Sequence, residues 1–196
     1  MKKYLIPITL SILVTIIVAL SATTYFLYRG GAANLAGAQA PVGNASAEGE
    51  APTRIKIPSL NIDADVEAVG RDSNGAMANP STFHDVAWFT PGGWAGAKGS
   101  VAMAGHVDNA LGLDGVFKNL DEIKVGDEVL VTTASSTELR YRVIGMKEYH
   151  YEQVPLYEVF DKDDGAYLNL ITCGGNWLSA ERTYDKRLIV YTELVE

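Results

Sequence analysis

The sequence predicts an all-β outer domain, either a closed barrel or a sandwich, behind an apolar N-terminal segment. Three observations carry this. Short runs that alternate apolar and polar residues recur from Arg54 to the C-terminus, separated by turns rich in Gly and Pro. Only one stretch, Gly115 to Ile123, has the spacing of a helix. The 196 residues are 47% apolar and 20% charged, which suits one packed core plus an appendage and excludes wholesale disorder.

The N-terminal segment comes first. Tyr4 to Tyr28 form an uncharged run of 25 residues, and about 20 apolar residues span a bilayer core. Lys2 and Lys3 precede the run and Arg29 follows it. The excess of positive charge at the front predicts a cytoplasmic N-terminus and an outward-facing remainder. Residues 1–29 are therefore expected to be a retained membrane anchor. The rival is a cleaved leader, for which Ala38-Gln39-Ala40 has the small-x-small form. The apolar run is longer than the ~7–15 residues usual in a leader. From Gly30 to Thr53, five glycines and eight alanines fill 24 positions. This composition predicts a flexible linker reaching roughly 25–30 Å. The outer domain is then 54–196.

Its elements follow in order. Arg54–Ile57 and Ala64–Val69 alternate and end at Pro58 and Gly70. Val86–Phe89 stops before Thr90-Pro91-Gly92-Gly93, and Ser100–Ala104 is almost continuously apolar, as in a strand covered on both faces. Gly115–Ile123 reads as a short helix with Val116, Phe117, Leu120 and Ile123 on one side. Glu128–Thr133, Leu139–Tyr149, Tyr167–Thr172 and Leu188–Val195 complete a set of about eight strands. Eight strands suit a small barrel filled by its own side chains.

Charge and sulfur narrow the function. A net charge of −8 argues against nucleic acid, which needs concentrated Lys and Arg. The single cysteine, Cys173, excludes an intrachain disulfide, and with only three histidines a four-ligand Cys/His zinc site is excluded too. No loop has a recognisable calcium-ligand spacing. Neither a metal nor a cofactor is expected.

Three residues remain as candidates for chemistry. Cys173 ends an apolar run and meets Gly174-Gly175, where a scaffold fixes its Cβ and glycines admit a substrate backbone. The plain alternative is a buried core cysteine. An outward-facing lone thiol, however, is a liability unless it is buried or used. His106 follows the strand at Ala104 and has the placement of a general base; His84 and His150 are its competitors. Arg187 opens the last strand. If that strand pairs antiparallel with the strand of Cys173, its start returns near the thiol. Its fixed guanidinium fork suits an oxyanion or a substrate carbonyl, with Arg182 as the substitute.

Ala104-Gly105-His106-Val107-Asp108, Leu170-Ile171-Thr172-Cys173-Gly174-Gly175 and Lys186-Arg187-Leu188-Ile189-Val190 together resemble the three signatures of the sortases, the surface cysteine transpeptidases of mainly Gram-positive bacteria. Val116-Phe117-Lys118-Asn119-Leu120 and Val125-Gly126-Asp127 extend the likeness, which covers about 54–196 and is most similar to class F. One departure stands out: Asn169 occupies the position of a usual threonine, four residues before the cysteine, and predicts a packing or pocket effect.

The resemblance implies an eight-stranded β-barrel, with Cys173 as nucleophile, His106 as acid/base, Arg187 as oxyanion or orienting group and Thr172 lining the substrate cleft. It also implies partners: a Leu-Pro-x-Thr-Gly-like sorting peptide of a surface protein, and a cell-wall precursor amine or a pilin lysine as acceptor. The chemistry would be two acyl transfers through a thioester. At ordinary pKa values roughly 3% of thiol and 24% of imidazole are ionised at pH 7, so the thiolate–imidazolium form is scarce without help. Papain-like hydrolases place histidine after cysteine, and here none follows Cys173. A non-catalytic anchored β-domain would keep the strands without aligning these three residues.

Overall fold

The computed structural model describes residues 49–109 and 111–195. The expected anchor, and the expected linker as far as residue 48, lie outside them. Among the described residues there are eight strands: β1 (Pro52–Ile57), β2 (Ile62–Val69), β3 (Val86–Phe89), β4 (Gly99–Ala104), β5 (Glu128–Thr133), β6 (Glu138–His150), β7 (Ala166–Leu178) and β8 (Thr183–Leu194). They close a barrel in the order β1-β2-β3-β4-β7-β8-β6-β5. β5 pairs back onto β1, so closure removes free edges from the ring. All neighbours are antiparallel except β2–β3 and β4–β7, which are parallel.

The period-2 pattern fills the interior. Ile55 and Ile57, Val86 and Trp88, Val101 and Met103, Val129 and Val131, Tyr141 and Val143, Leu168 and Leu170, and Leu188 and Val190 all belong to one core cluster. Each strand contributes alternate residues, as a barrel requires. Tyr141 carries the one hydroxyl among these side chains, and it accepts the Gly96 amide at 2.9 Å, so the buried polar atom is satisfied.

The Gly115–Ile123 stretch differs from expectation. It forms no α-helix, only one 3-10 turn at Leu120–Glu122. The apolar spacing is nevertheless used: Phe117, Leu120 and Ile123 are buried in the same core. Its first three amides are tied to neighbours: Gly115 N donates to Val107 O, Val116 N to Phe83 O and Phe117 N to His106 O. The later amides close tight turns three residues back and not α-helical ones: Lys118 N to Gly115 O, Leu120 N to Phe117 O, Glu122 N to Asn119 O and Ile123 N to Leu120 O.

Other strand boundaries move too. β1 begins at Pro52, ahead of Arg54, because Glu50 is already tied in: its backbone exchanges two hydrogen bonds with Ala95, and its carboxylate accepts the Ser135 amide. Composition gives no sign of such ties. β7 and β8 are also longer than read, 13 and 12 residues. Cys173 and Arg187 therefore sit inside strands, not at their ends. Gly174-Gly175 bends the strand without ending it. Gly175 takes φ +76°, the register shifts, and pairing resumes at Trp177–Tyr184.

Phe117→Ala should lower stability by about 3–5 kcal/mol, as for other buried aromatics. Urea unfolding followed by tryptophan fluorescence measures it. A loss under about 1 kcal/mol would show that this stretch is not part of the core.

Candidate active site

Register alone brings the three candidates together. In the parallel β4–β7 pair, Ala104 is opposite Ile171. Two residues further along each chain stand His106 and Cys173, and the Gly105 amide still bonds Ile171 O at 3.0 Å. In the antiparallel β7–β8 pair, Cys173 is opposite Arg187. His106, Cys173 and Arg187 thus occupy one row across three neighbouring chain segments, each about 4.8 Å from the next. All three line a single cleft of about 1150 Å³, room for a peptide segment.

Each side chain is fixed by its surroundings. Glycines 105 and 115 allow the closest packing around His106. A Cβ on Gly105 would meet the Phe117 ring at 2.5 Å, and one on Gly115 would collide with the His106 carbonyl. The imidazole lies 4.7 Å from the Phe83 ring, centroid to centroid. Arg187 Nη1 donates to the Tyr184 and Lys186 carbonyls at 3.0 and 2.8 Å, and Nη2 donates to Thr183 Oγ1 at 2.8 Å. Among the described residues no partner takes its Nε–H or its second Nη2–H. Those donors remain for a ligand.

The electrostatics are those of a partly dry cleft. Burial pushes the Cys173 thiol above its ordinary pKa; the Arg187 charge pulls it back and Asp108 adds to the rise. Burial pushes His106 below the usual histidine value, against the Pro80 carbonyl and Asp108, which both favour the imidazolium. Both shifts favour the neutral forms, thiol and imidazole.

Some expectations need adjusting. Thr172 borders the cleft, but it is buried and its hydroxyl donates to Gly105 O at 2.9 Å, so it fastens β7 to the end of β4. Gly175 serves the bulge, where a Cβ would strike the Asp185 carboxylate, and neither Gly174 nor Gly175 lines the cleft. Asp185 is engaged by the Asn176 amide at 2.7 Å and does not pair with Arg187. Arg182 is an exposed turn residue at the rim, at φ +54°. His84 is exposed in the loop before β3, and exposed His150 ends β6 with its ring 4.8 Å from Tyr151.

The sequence reading missed one interaction. The Tyr184 hydroxyl donates to Asp108 Oδ2, joining the loop after His106 to the start of β8, 76 residues away. Asp108 was visible in the histidine motif; nothing marked Tyr184 as its partner.

A sortase-domain family model matches residues 55–195. The chain belongs to the sortase family, whose members are cysteine transpeptidases. No curated protein matches the chain. Among solved structures it is similar to sortase C of Clostridium perfringens SM101, 22% identical, covering 76% of this chain and 72% of that one with TM-score 0.55. A lid mutant of Corynebacterium diphtheriae sortase A is 22% identical, with 78% and 75% covered and TM-score 0.56. Sortase C-1 of Actinomyces oris is 22% identical, with 73% and 71% covered and TM-score 0.57. Identity this low speaks for a shared barrel and leaves substrate open.

The pH profile of Cys173 alkylation by iodoacetamide should have its midpoint above that of a free thiol. In Arg187→Ala it should move higher still, since the charge that favours thiolate is gone, and Arg187→Lys should restore part of the shift. A midpoint that is the same in Arg187→Ala would show that the guanidinium does not act on the sulfur.

Proposed function

We propose that this chain is a membrane-anchored sortase that cleaves the sorting peptide of a surface protein and passes the protein to an amine of the cell envelope. The observation that carries this is the row His106–Cys173–Arg187 opening into one cleft of peptide size.

The residues assign themselves to steps. The thiol proton passes to His106, and Cys173 Sγ attacks the scissile carbonyl. The free Nε–H and Nη2–H of Arg187 face the developing oxyanion or the carbonyl that precedes it. The imidazolium gives its proton to the leaving amine as the C–N bond breaks, which leaves a C–S thioester. An incoming amine then attacks the thioester carbonyl and loses a proton to His106. The new C–N bond forms as the C–S bond breaks, and the proton returns to sulfur. Water in place of the amine gives hydrolysis.

The sequence supports the finer points. Gly105-His106-Val107-Asp108 and Ile171-Thr172-Cys173-Gly174-Gly175 favour class F. A wall-precursor amine is the acceptor favoured for a surface-display enzyme of this class over a pilin lysine. The apolar run at 4–28 behind Lys2 and Lys3 favours a single pass with the catalytic domain outside. Anchoring keeps the enzyme in the plane of membrane-held substrates and raises their effective concentration with no added contact.

Intact-mass measurement after mixing the full-length protein with a Leu-Pro-x-Thr-Gly-like peptide library should give an acyl adduct on Cys173 that hydroxylamine releases. Cys173→Ala should give none while keeping its unfolding midpoint. An adduct in Cys173→Ala, or no adduct with any peptide, overturns the proposal.

A further inference from the structure

Asn169 lies on β7, four residues before Cys173, and is 1% exposed. By alternation it belongs with Ile171 and Cys173 on the outer face of the barrel. A polar side chain is buried there because the connection between β6 and β7 folds over it. Asn169 Nδ2 donates to Val159 O at 2.8 Å and to Glu158 O at 3.2 Å. Both partners are carbonyls, so only an NH₂ group satisfies them together.

The clamped segment is a single π turn, Tyr157–Asp161. Val159 is fully buried beneath it. Phe160 packs edge-on against Phe89 of β3 with ring centroids 5.4 Å apart. The segment has a second fastening on β4, where Ser100 Oγ donates to Lys162 O at 3.0 Å. The same connection supplies one wall of the cleft through Val154, Leu156 and Phe160. Leu156 is 63% exposed, an apolar side chain with little protein cover.

We propose that Asn169 is a positioning residue: it locks the β6–β7 connection onto the nucleophile strand and so holds a preformed apolar wall for a substrate side chain upstream of the scissile bond. The reading rests on the function proposed above. It extends that function by naming the residue that holds this wall in place for peptide selectivity, one that touches neither the reacting atoms nor the peptide. The preformed wall spares the substrate the cost of ordering a loop, so the clamp acts on binding more than on chemistry.

The test compares Asn169→Leu, nearly isosteric but without donors, and Ser100→Ala, which releases only the second fastening, with the parent full-length protein. Hydrogen exchange should be roughly tenfold faster over residues 154–162 in Asn169→Leu, where two hydrogen bonds into the segment are lost, and less so in Ser100→Ala. Peptides from β4, β5 and the core of β7 should keep their protection. With a peptide that forms the acyl-enzyme, KM should rise roughly tenfold in Asn169→Leu while kcat changes far less. Unchanged exchange over 154–162 in Asn169→Leu overturns the clamp. Faster exchange with an unchanged KM overturns its role in selectivity. If the parent acylates with no peptide, the function above fails, and the exchange comparison still decides the clamp.

Discussion

The site depends on one constraint, the parallel pairing of β4 with β7. These strands are far apart in the chain, and β7 also pairs antiparallel with β8. A parallel pair makes both chains leave the sheet at the same end. The loop that follows β4 and the residue that ends the buried part of β7 therefore emerge side by side. β8 arrives at that same end from the opposite direction. With no other device, the three segments deliver an imidazole, a thiol and a guanidinium to one row. A slip of one residue in either pairing would turn the thiol into the barrel. The flanking core residues Leu170, Thr172 and Leu188 prevent that slip, because each is buried only in the observed register.

The row sits on a surface that is closed elsewhere. Ala87, Ala102, Ile189 and Val159 are fully buried, although the first three alternate with the inward-facing residues of β3, β4 and β8. The β6–β7 connection covers this outer patch, and its free margin becomes a wall of the cleft. The same segment therefore serves both the packing of the barrel and the lining of the cleft. Val159 and Asn169 hold it down, and Leu156 and Phe160 present what is left to solvent. A barrel of this size has little interior to spare for a ligand, so binding has to be built outside it from connections laid against the sheet.

How far these features were legible in the sequence varies with their range. The all-apolar Val86–Phe89 and the alternating Glu128–Thr133 were read to the residue, because period and turn chemistry are local. The candidates His106, Cys173 and Arg187 were legible as motif residues, and the antiparallel return of β8 toward Cys173 was a correct geometric inference. Three things were not legible. The Gly115–Ile123 stretch has helical spacing, but its later amides close on the residue three back while its first three are tied to Val107, Phe83 and His106, partners visible only in three dimensions. Gly174-Gly175 has the look of a strand stop, yet a bulge carries the strand through. Asn169 stood out as a departure, but that its amide serves the Glu158 and Val159 carbonyls of the π turn followed from no pattern in the chain.

The electrostatics of the cleft act on a half-buried thiol and a part-buried imidazole together. Burial penalises a lone thiolate and a lone imidazolium alike. Asp108 acts on the two in opposite senses, favouring charge on His106 and disfavouring it on Cys173. For a thiolate–imidazolium pair those effects largely offset, since the pair carries no net charge. What remains is the pull of Arg187 on the sulfur. Tyr184 is tied to the same groups. Its hydroxyl donates to Asp108, and that bond pushes its own pKa up to about 12, so it stays protonated and the carboxylate stays shared. The main-chain carbonyl of the same tyrosine accepts from Arg187, which ties the negative and positive groups to one residue. Ionising Cys173 or His106 alone is disfavoured by burial. An exposed thiol outside a reducing compartment would oxidise. In the proposed reaction Cys173 would gain nucleophilic character by passing its proton to His106, with the substrate carbonyl against the free Arg187 donors.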